Sequence, residues 1–169
     1  MEHVVETTVL LFLGILVIGL AISLIQPQIE ESRREALFNQ ALSIARDLHQ
    51  SIENVAMAGE GNSVTLRITL PEDTSLLGDP NGAWLNISIF NPPKNVESGP
   101  VVVHVGAVSN LTIRGTPQGN VVISIVMDRN KGWSVITSGL ATTGAPIDVV
   151  VKYPIGRPKT ILVEVQGGG

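Results

Sequence analysis

Residues 7–25 read TTVLLFLGILVIGLAISLI, nineteen consecutive positions without a charged side chain. A helix of that length rises about 28 Å, which is close to the thickness of the hydrocarbon core of a bilayer. The run is longer than the apolar part of a secretory signal, and no small-residue cleavage site follows it. It predicts a helix that crosses a membrane or packs among other apolar helices, with a buried core helix as the alternative. The residues expected on its contact surface are Val9, Leu10, Phe12, Leu13, Gly14, Leu16, Val17, Gly19, Leu20 and Leu24.

A second helical pattern continues beyond this run. Pro27 removes a backbone donor, so a kink is expected there. Apolar residues then recur every three or four positions until Gly59 and Gly61, which supply the left-handed conformation that ends a helix. We expect an N-terminal helical unit over 1–58, apolar on all sides at 7–25 and amphipathic at 29–58. The apolar stripe, expected to dock on the following domain or on neighbouring helices, is Leu37, Ala41, Ile44, Leu48, Ile52 and Val55.

The hydrophobic period changes from 3.6 to 2 at Ser63, which is typical of strands with one buried face. Eight short strands are predicted, at residues 63–70, 84–90, 101–106, 110–114, 120–127, 133–138, 147–153 and 160–166. Short strands at regular spacing favour an all-β, immunoglobulin-like sandwich over 62–167. The predicted fold class is therefore α+β, a long apolar helix followed by a β-sandwich.

Turn residues separate these strands. Asp-Pro-Asn-Gly at 79–82 fits a type I turn at each position. Thr-Pro-Gln-Gly at 116–119 and Asn-Lys-Gly at 130–132 each favour a hairpin between the strands on either side.

Composition and charge exclude several classes of function. Charged residues make up 15% of the chain against about 25% in ordinary soluble domains, and 44% of residues are hydrophobic, which argues against disorder. The net charge of −4 gives no general attraction to nucleic acid. The chain has no cysteine, which excludes disulfides, thiolate metal sites and cysteine nucleophiles.

The sequence contains no recognisable catalytic motif, so we expect neither an enzyme nor a cofactor. Its three histidines lie in three separate regions, and the one at 104 is interpreted as a residue on a strand face. A solvated loop is favoured over a calcium site for the three carboxylates between the first two predicted strands, although carboxylate oxygens suit that ion. The residues concerned are His3, His49 and His104, and Glu72, Asp73 and Asp79.

Two sequons, beginning at Asn86 and Asn110, are candidate N-glycosylation sites. The alternation of their strands places both asparagines on the face away from the core. The same outward face carries Trp84 and Phe90, which either lie under another element or form a contact surface between subunits.

The arrangement of an acidic residue before an apolar run, a long helix with a proline and a distal β-sandwich resembles the archaeal type IV pilins. The stretch 41–71, in which Ala-Gly-Glu-Gly precedes Ser-Val-Thr-Leu-Arg-Ile-Thr-Leu-Pro, is similar to the helix-to-sheet junction of archaeal surface proteins with class III signal peptides. The resemblance implies processing by a prepilin peptidase, export and polymerisation through the helix.

The expected function is thus a structural subunit of an archaeal adhesive pilus, membrane-anchored before assembly and then part of an extracellular filament. Its partners would be copies of itself, and also abiotic surfaces, other cells or the surface layer. The alternative is a membrane-anchored cell-surface binding module, or an accessory protein that contacts the surface layer.

Overall fold

The structure, a computed structural model, describes residues 2–94, 96, 99–139, 141–142 and 146–166. Within these ranges one helix precedes ten strands and a short 3₁₀ turn, η1. The α+β layout with a long N-terminal helix and a β-sandwich is confirmed. The elements are α1 (Glu2–Ala58), β1 (Ser63–Thr69), β2 (Thr74–Gly78), β3 (Trp84–Ile89), β4 (Val101–Val105), β5 (Ser109–Gly115), β6 (Val121–Met127), η1 (Arg129–Lys131), β7 (Ser134–Ser138), β8 (Ala141–Thr142), β9 (Pro146–Lys152) and β10 (Thr160–Gln166).

Helix α1 continues through Pro27 without interruption. Its 57 residues correspond to a length of about 85 Å. The helix ends where Gly59 takes a φ of 93°, a conformation that costs glycine little. The Asn62 side chain donates hydrogen bonds to the carbonyl oxygens of Ala58 and Gly59, at 2.9 and 3.0 Å, and so satisfies two free acceptors at the helix end.

The strands form a four-stranded sheet in the order β1-β9-β10-β7 and a six-stranded sheet in the order β4-β5-β6-β3-β2-β8. Among the described strands, β10 and β7 pair in parallel and the other neighbours are antiparallel. In the larger sheet, Ile125 lies opposite both Leu85 and Leu111, and all three side chains are buried. Such rows of opposed apolar residues form the inner face of the sandwich.

The second half of α1 belongs to the core of the sandwich. The helix contacts β1 and β9 of the smaller sheet and β3, β5 and β6 of the larger one. Ala41, Leu48 and Ile52 are fully buried in the same cluster as the inner faces of both sheets. The hydrophobic core is therefore assembled from three layers, since the helix covers apolar surface that the two sheets leave open.

Three features of the sandwich differ from the sequence-based expectation. Strands β2 and β8 were not predicted, and the hairpin expected at 130–132 is wrong, because β6 and β7 lie in different sheets. The carboxylate of Asp128 accepts a hydrogen bond from the Lys131 amide and caps η1, while the Trp133 amide donates to the Asp128 carbonyl oxygen. These bonds direct the chain across to the second sheet. The turn at 116–119 does join β5 to β6 as a hairpin.

Candidate functional site

The apolar segment of α1, residues 10–29, is exposed on every side. Its large apolar side chains show between 52% of their surface, at Ile25, and 71%, at Phe12. Soluble monomers rarely expose apolar patches of more than a few hundred Å². A helix that is apolar all round is stable only in lipid or among similar helices, so this segment must be covered in the functional state. The side chain of Val9 lies outside the described residues.

Two glycines interrupt this apolar surface. Apart from the adjacent residues and the nearby backbone of the helix itself, no described atom lies within 4 Å of the position that a Cβ would occupy at Gly14 or Gly19. Residues five positions apart on a helix point about 140° away from each other, so the two openings face different directions. Small residues let the backbones of neighbouring helices approach closely.

Helix α1 is long enough and apolar enough to cross a membrane. No residue of its most apolar stretch is buried within the protein. Signal sequences near an N-terminus share both properties. The helix is therefore compatible with membrane anchoring or with a signal sequence.

A polar junction follows the apolar segment and ties α1 to two loops at the base of the sandwich. Arg33 forms an ion pair with Glu72 in the loop after β1. The carboxylate of Glu31 accepts a hydrogen bond of 2.8 Å from the Lys94 amide in the loop after β3, and Arg34 lies 3.9 Å from Glu31. Exposed ion pairs contribute little stability individually. Together these contacts fix the point at which the apolar segment leaves the sandwich.

The docking stripe packs into the core except at its N-terminal end. Ala41, Ile44, Leu48, Ile52 and Val55 are between 0% and 8% exposed. Burying an aliphatic side chain of this size contributes roughly 1.5–3 kcal/mol, so the stripe is a major source of stability. Leu37, the remaining member of the stripe, is half-buried. It lines a cavity of about 390 Å³ at the polar junction, beside the loop carboxylates.

Glu53, which the sequence pattern placed off the stripe, is buried and holds the β4–β5 corner against the helix. Its carboxylate accepts hydrogen bonds from the backbone amides of Ala107 (2.8 Å), Val108 (3.1 Å) and Ser109 (2.9 Å), and from the Ser109 hydroxyl (2.9 Å). A Cβ at Gly106 would lie 2.3 Å from Oε1 of Glu53, so the absence of a side chain there makes room for the carboxylate. Successive amides of this kind form an anion-binding concavity, here filled by the chain's own carboxylate.

His49 and His104 meet beside Glu53, so the expectation of three separate histidine regions is wrong for this pair. Their ring centroids are 5.1 Å apart, in an edge-to-face arrangement. Nε2 of His49 lies 3.2 Å from the Ser109 carbonyl oxygen, to which it donates because a carbonyl can only accept. The side chain of His49 is buried, whereas His104, on β4, is exposed. The contact depends on the packing of α1 against the six-stranded sheet, which no local sequence pattern reveals.

The three carboxylates considered for a cation have separate protein partners. Asp79 accepts from the amides of Asn81 and Ala83, Asp73 accepts from the Asn91 side chain, and Glu72 pairs with Arg33. Within the part of the chain that the structure describes, no three His, Cys, Asp or Glu residues gather as a metal site.

The two sequon asparagines lie on the outer face of the six-stranded sheet, since Leu85 and Ile87 on either side of Asn86 are buried. Both asparagines are half-buried, and Oδ1 of Asn86 is enclosed without a hydrogen-bond partner. On the same strand Trp84 is half-buried, and Phe90, directly after the strand, is 50% exposed. The outer face therefore combines polar and aromatic side chains.

The described geometry thus contains an exposed apolar segment, a polar junction and a buried docking stripe on one helix. No protein-family model, no curated protein and no solved structure matches this chain. Its function is therefore inferred from the geometry of α1 and from its junction with the sandwich.

Proposed function

We propose that the protein is the structural subunit of a cell-surface filament of the archaeal type IV pilus kind, which polymerises through the apolar segment of α1. One observation supports this most: a single helix carries both the exposed apolar segment and the docking stripe buried in the sandwich. The position of the sandwich is thereby linked directly to the position of the apolar segment. A plain membrane anchor needs no such link.

The free energy for assembly would come from packing as well as from removal of water. Lipid tails are as apolar as leucine, so helices leave a bilayer for a bundle only where their surfaces fit closely. The thirteen large apolar side chains between residues 10 and 29 supply the contact area. The openings at Gly14 and Gly19 would admit neighbouring helices at two separate points.

The arrangement of subunits follows from these contacts. Because the two openings face different directions, they favour contacts in which one surface of a subunit packs against a different surface of the next subunit. Repeated contacts of that type that do not close into a ring generate a helical filament. The sandwiches would then coat a core of helices and meet abiotic surfaces, other cells or the surface layer.

Filling the two openings tests this proposal. A Cβ added at Gly14 or Gly19 would meet nothing beyond the local helix among the described residues, and leucine keeps the segment apolar, so folding and membrane insertion should be retained. Filament number per cell, counted by electron microscopy in the native host, should fall in both variants at unchanged membrane levels. Leu16→Ile is the matched control, because it conserves volume at an exposed position of the same segment and should leave filament number unchanged.

Normal filament numbers in both glycine variants would contradict the proposal, as would the absence of the wild-type protein from any filament. Either result would favour a membrane-anchored cell-surface binding module or accessory protein instead.

A further inference from the structure

A cavity of about 330 Å³ lies between α1 and the β4 edge of the six-stranded sheet. Its volume is near the lower end of the range of about 300–1,000 Å³ that is typical of small-molecule sites. One turn of α1 contributes three polar side chains, while β4 and β5 contribute a histidine and two apolar side chains, of which Leu111 is fully buried and Val103 half-buried. The lining residues are Arg46, His49, Gln50, Val103, His104 and Leu111.

The charge of this lining is positive, although the chain as a whole carries −4. The lining contains one guanidinium, two imidazoles and an amide, but no carboxylate. Glu53 approaches His49 to 3.8 Å, yet its oxygen atoms accept hydrogen bonds from the amides of the β4–β5 corner. Within the described ranges, none of the ion pairs includes Arg46. Arg46 is exposed, so its guanidinium is available to an anionic ligand.

The two imidazoles differ in what they can offer to a ligand. His49 donates through Nε2 to the Ser109 carbonyl oxygen, which fixes the orientation of its ring. His104 is exposed and packs edge-to-face against that ring. Arg46 in the same cavity disfavours a metal cation, because like charges repel at such short range. An anion with a small apolar body matches both the guanidinium and the half-buried side chain of Val103.

We propose that this cavity binds a small organic carboxylate. The carboxylate pairs with Arg46 and accepts a hydrogen bond from the imidazole of His104, and the apolar body of the ligand lies against Val103. A charge-assisted pair with a guanidinium provides the main recognition of the ligand. The proposal does not depend on filament formation.

Nuclear magnetic resonance of the histidine ring signals tests the proposal on the full chain in detergent micelles. The chain has three histidines, so His3 serves as an internal control for effects on the micelle. Isobutyrate is titrated as the probe, with isobutyramide as its neutral isostere and inorganic phosphate as an anion without an apolar body. We expect isobutyrate to shift the signals of His49 and His104 with half-saturation on the order of 1–10 mM, and to leave His3 unchanged.

Isobutyramide and inorganic phosphate should each bind to the wild type about tenfold more weakly than isobutyrate does. Isobutyrate should bind to the Arg46→Gln variant about tenfold more weakly than to the wild type. Arg157→Gln, at an exposed position in the loop between β9 and β10, is the matched control and should bind isobutyrate as the wild type does. Equal binding of isobutyramide, tighter binding of phosphate, or unchanged isobutyrate binding by Arg46→Gln would overturn the proposal. The absence of a saturable shift in His49 and His104 up to about 100 mM isobutyrate would also overturn it.

Discussion

At the scale of single residues, the joint between α1 and the sandwich depends on Glu53. Its carboxylate satisfies three consecutive amides and one hydroxyl at the β4–β5 corner. Hydrogen bonds to a charged group contribute about 1.5–3 kcal/mol each, which offsets the cost of removing the carboxylate from water. Gly106 leaves the space that the carboxylate of Glu53 fills.

Glu53→Gln should therefore destabilise the fold by about 2–4 kcal/mol. The glutamine side chain carries no charge. Its NH₂ group would also lie among the backbone N–H groups of the corner, which need an acceptor. Urea unfolding of the full chain in detergent, followed by tryptophan fluorescence, measures the change. Asp47→Asn, an exposed substitution of the same type on the same helix, should stay within about 0.5 kcal/mol of the wild type. Equal midpoints for the two variants would contradict this role of Glu53.

The role of Glu53 could not be predicted from the sequence. Helical periodicity assigns each residue to a face, and Glu53 falls beside Ile52 at the margin of the buried stripe. A carboxylate at such a margin is usually solvated. Its partners lie at 107–109, far along the chain, and only tertiary packing brings their amides to it. The same reason explains why the contact between His49 and His104 was missed.

At the scale of elements, the docking stripe predicts a strong effect of charge at its centre. Leu48 is fully buried between the sheets, so Leu48→Asp would bury a carboxylate without a partner. We expect a loss of about 4 kcal/mol or more in the free energy of unfolding, measured by urea titration. Ser43→Asp adds the same charge at an exposed position of α1 and should change the stability by about 0.5 kcal/mol at most. If the free energy of unfolding of Leu48→Asp equalled that of the wild type, the stripe would not be a packing surface.

The pairing of β9 with β10 predicts a defined dependence of stability on pH. Nζ of Lys152 donates to the carboxylate of Glu164 at 2.6 Å, and this hydrogen bond holds the pKa of Glu164 below its usual 4.5. A pKa that is lower in the folded chain stabilises the fold above the usual value, and that contribution is lost as the pH falls through the folded pKa. The difference in urea midpoint between wild type and Glu164→Gln should therefore be larger at pH 7 than at about pH 3.

Lys152→Met provides the control for this prediction, because it removes the cause of the pKa shift. In that background, Glu164→Gln should produce the same small difference at both pH values. A difference in the parent protein that is independent of pH would contradict the prediction.

The elements themselves were predictable to the extent that they carry a regular hydrophobic period. β3 alternates buried and half-buried side chains along its length, as the sequence pattern indicates. β2 has three buried residues in succession, from Thr74 to Leu76, and therefore lacks the alternation that marks a strand. β8 is only two residues long. The hairpin expected at 130–132 was wrong because turn residues show that a chain turns, but not which sheet it enters next.

At the scale of the whole molecule, α1 carries two surfaces with different requirements. The docking stripe is largely covered by the sandwich, whereas residues 10–29 are exposed among the residues that the structure describes. The polar junction formed by Glu31, Arg33 and Arg34 marks the boundary between them. The proposed polymerisation through the uncovered segment would therefore leave the sandwich folded.

The central claim, that the apolar segment forms the core of a filament, is tested most directly by electron cryo-microscopy. Appendages sheared from the native host would be reconstructed as helical polymers, with their subunit identified by mass spectrometry. We predict a central bundle of helices in which residues 10–29 of this chain lie inside and the sandwiches lie outside. Filaments built from another protein, or a reconstruction of this chain with its apolar segment outside the core, would contradict the claim.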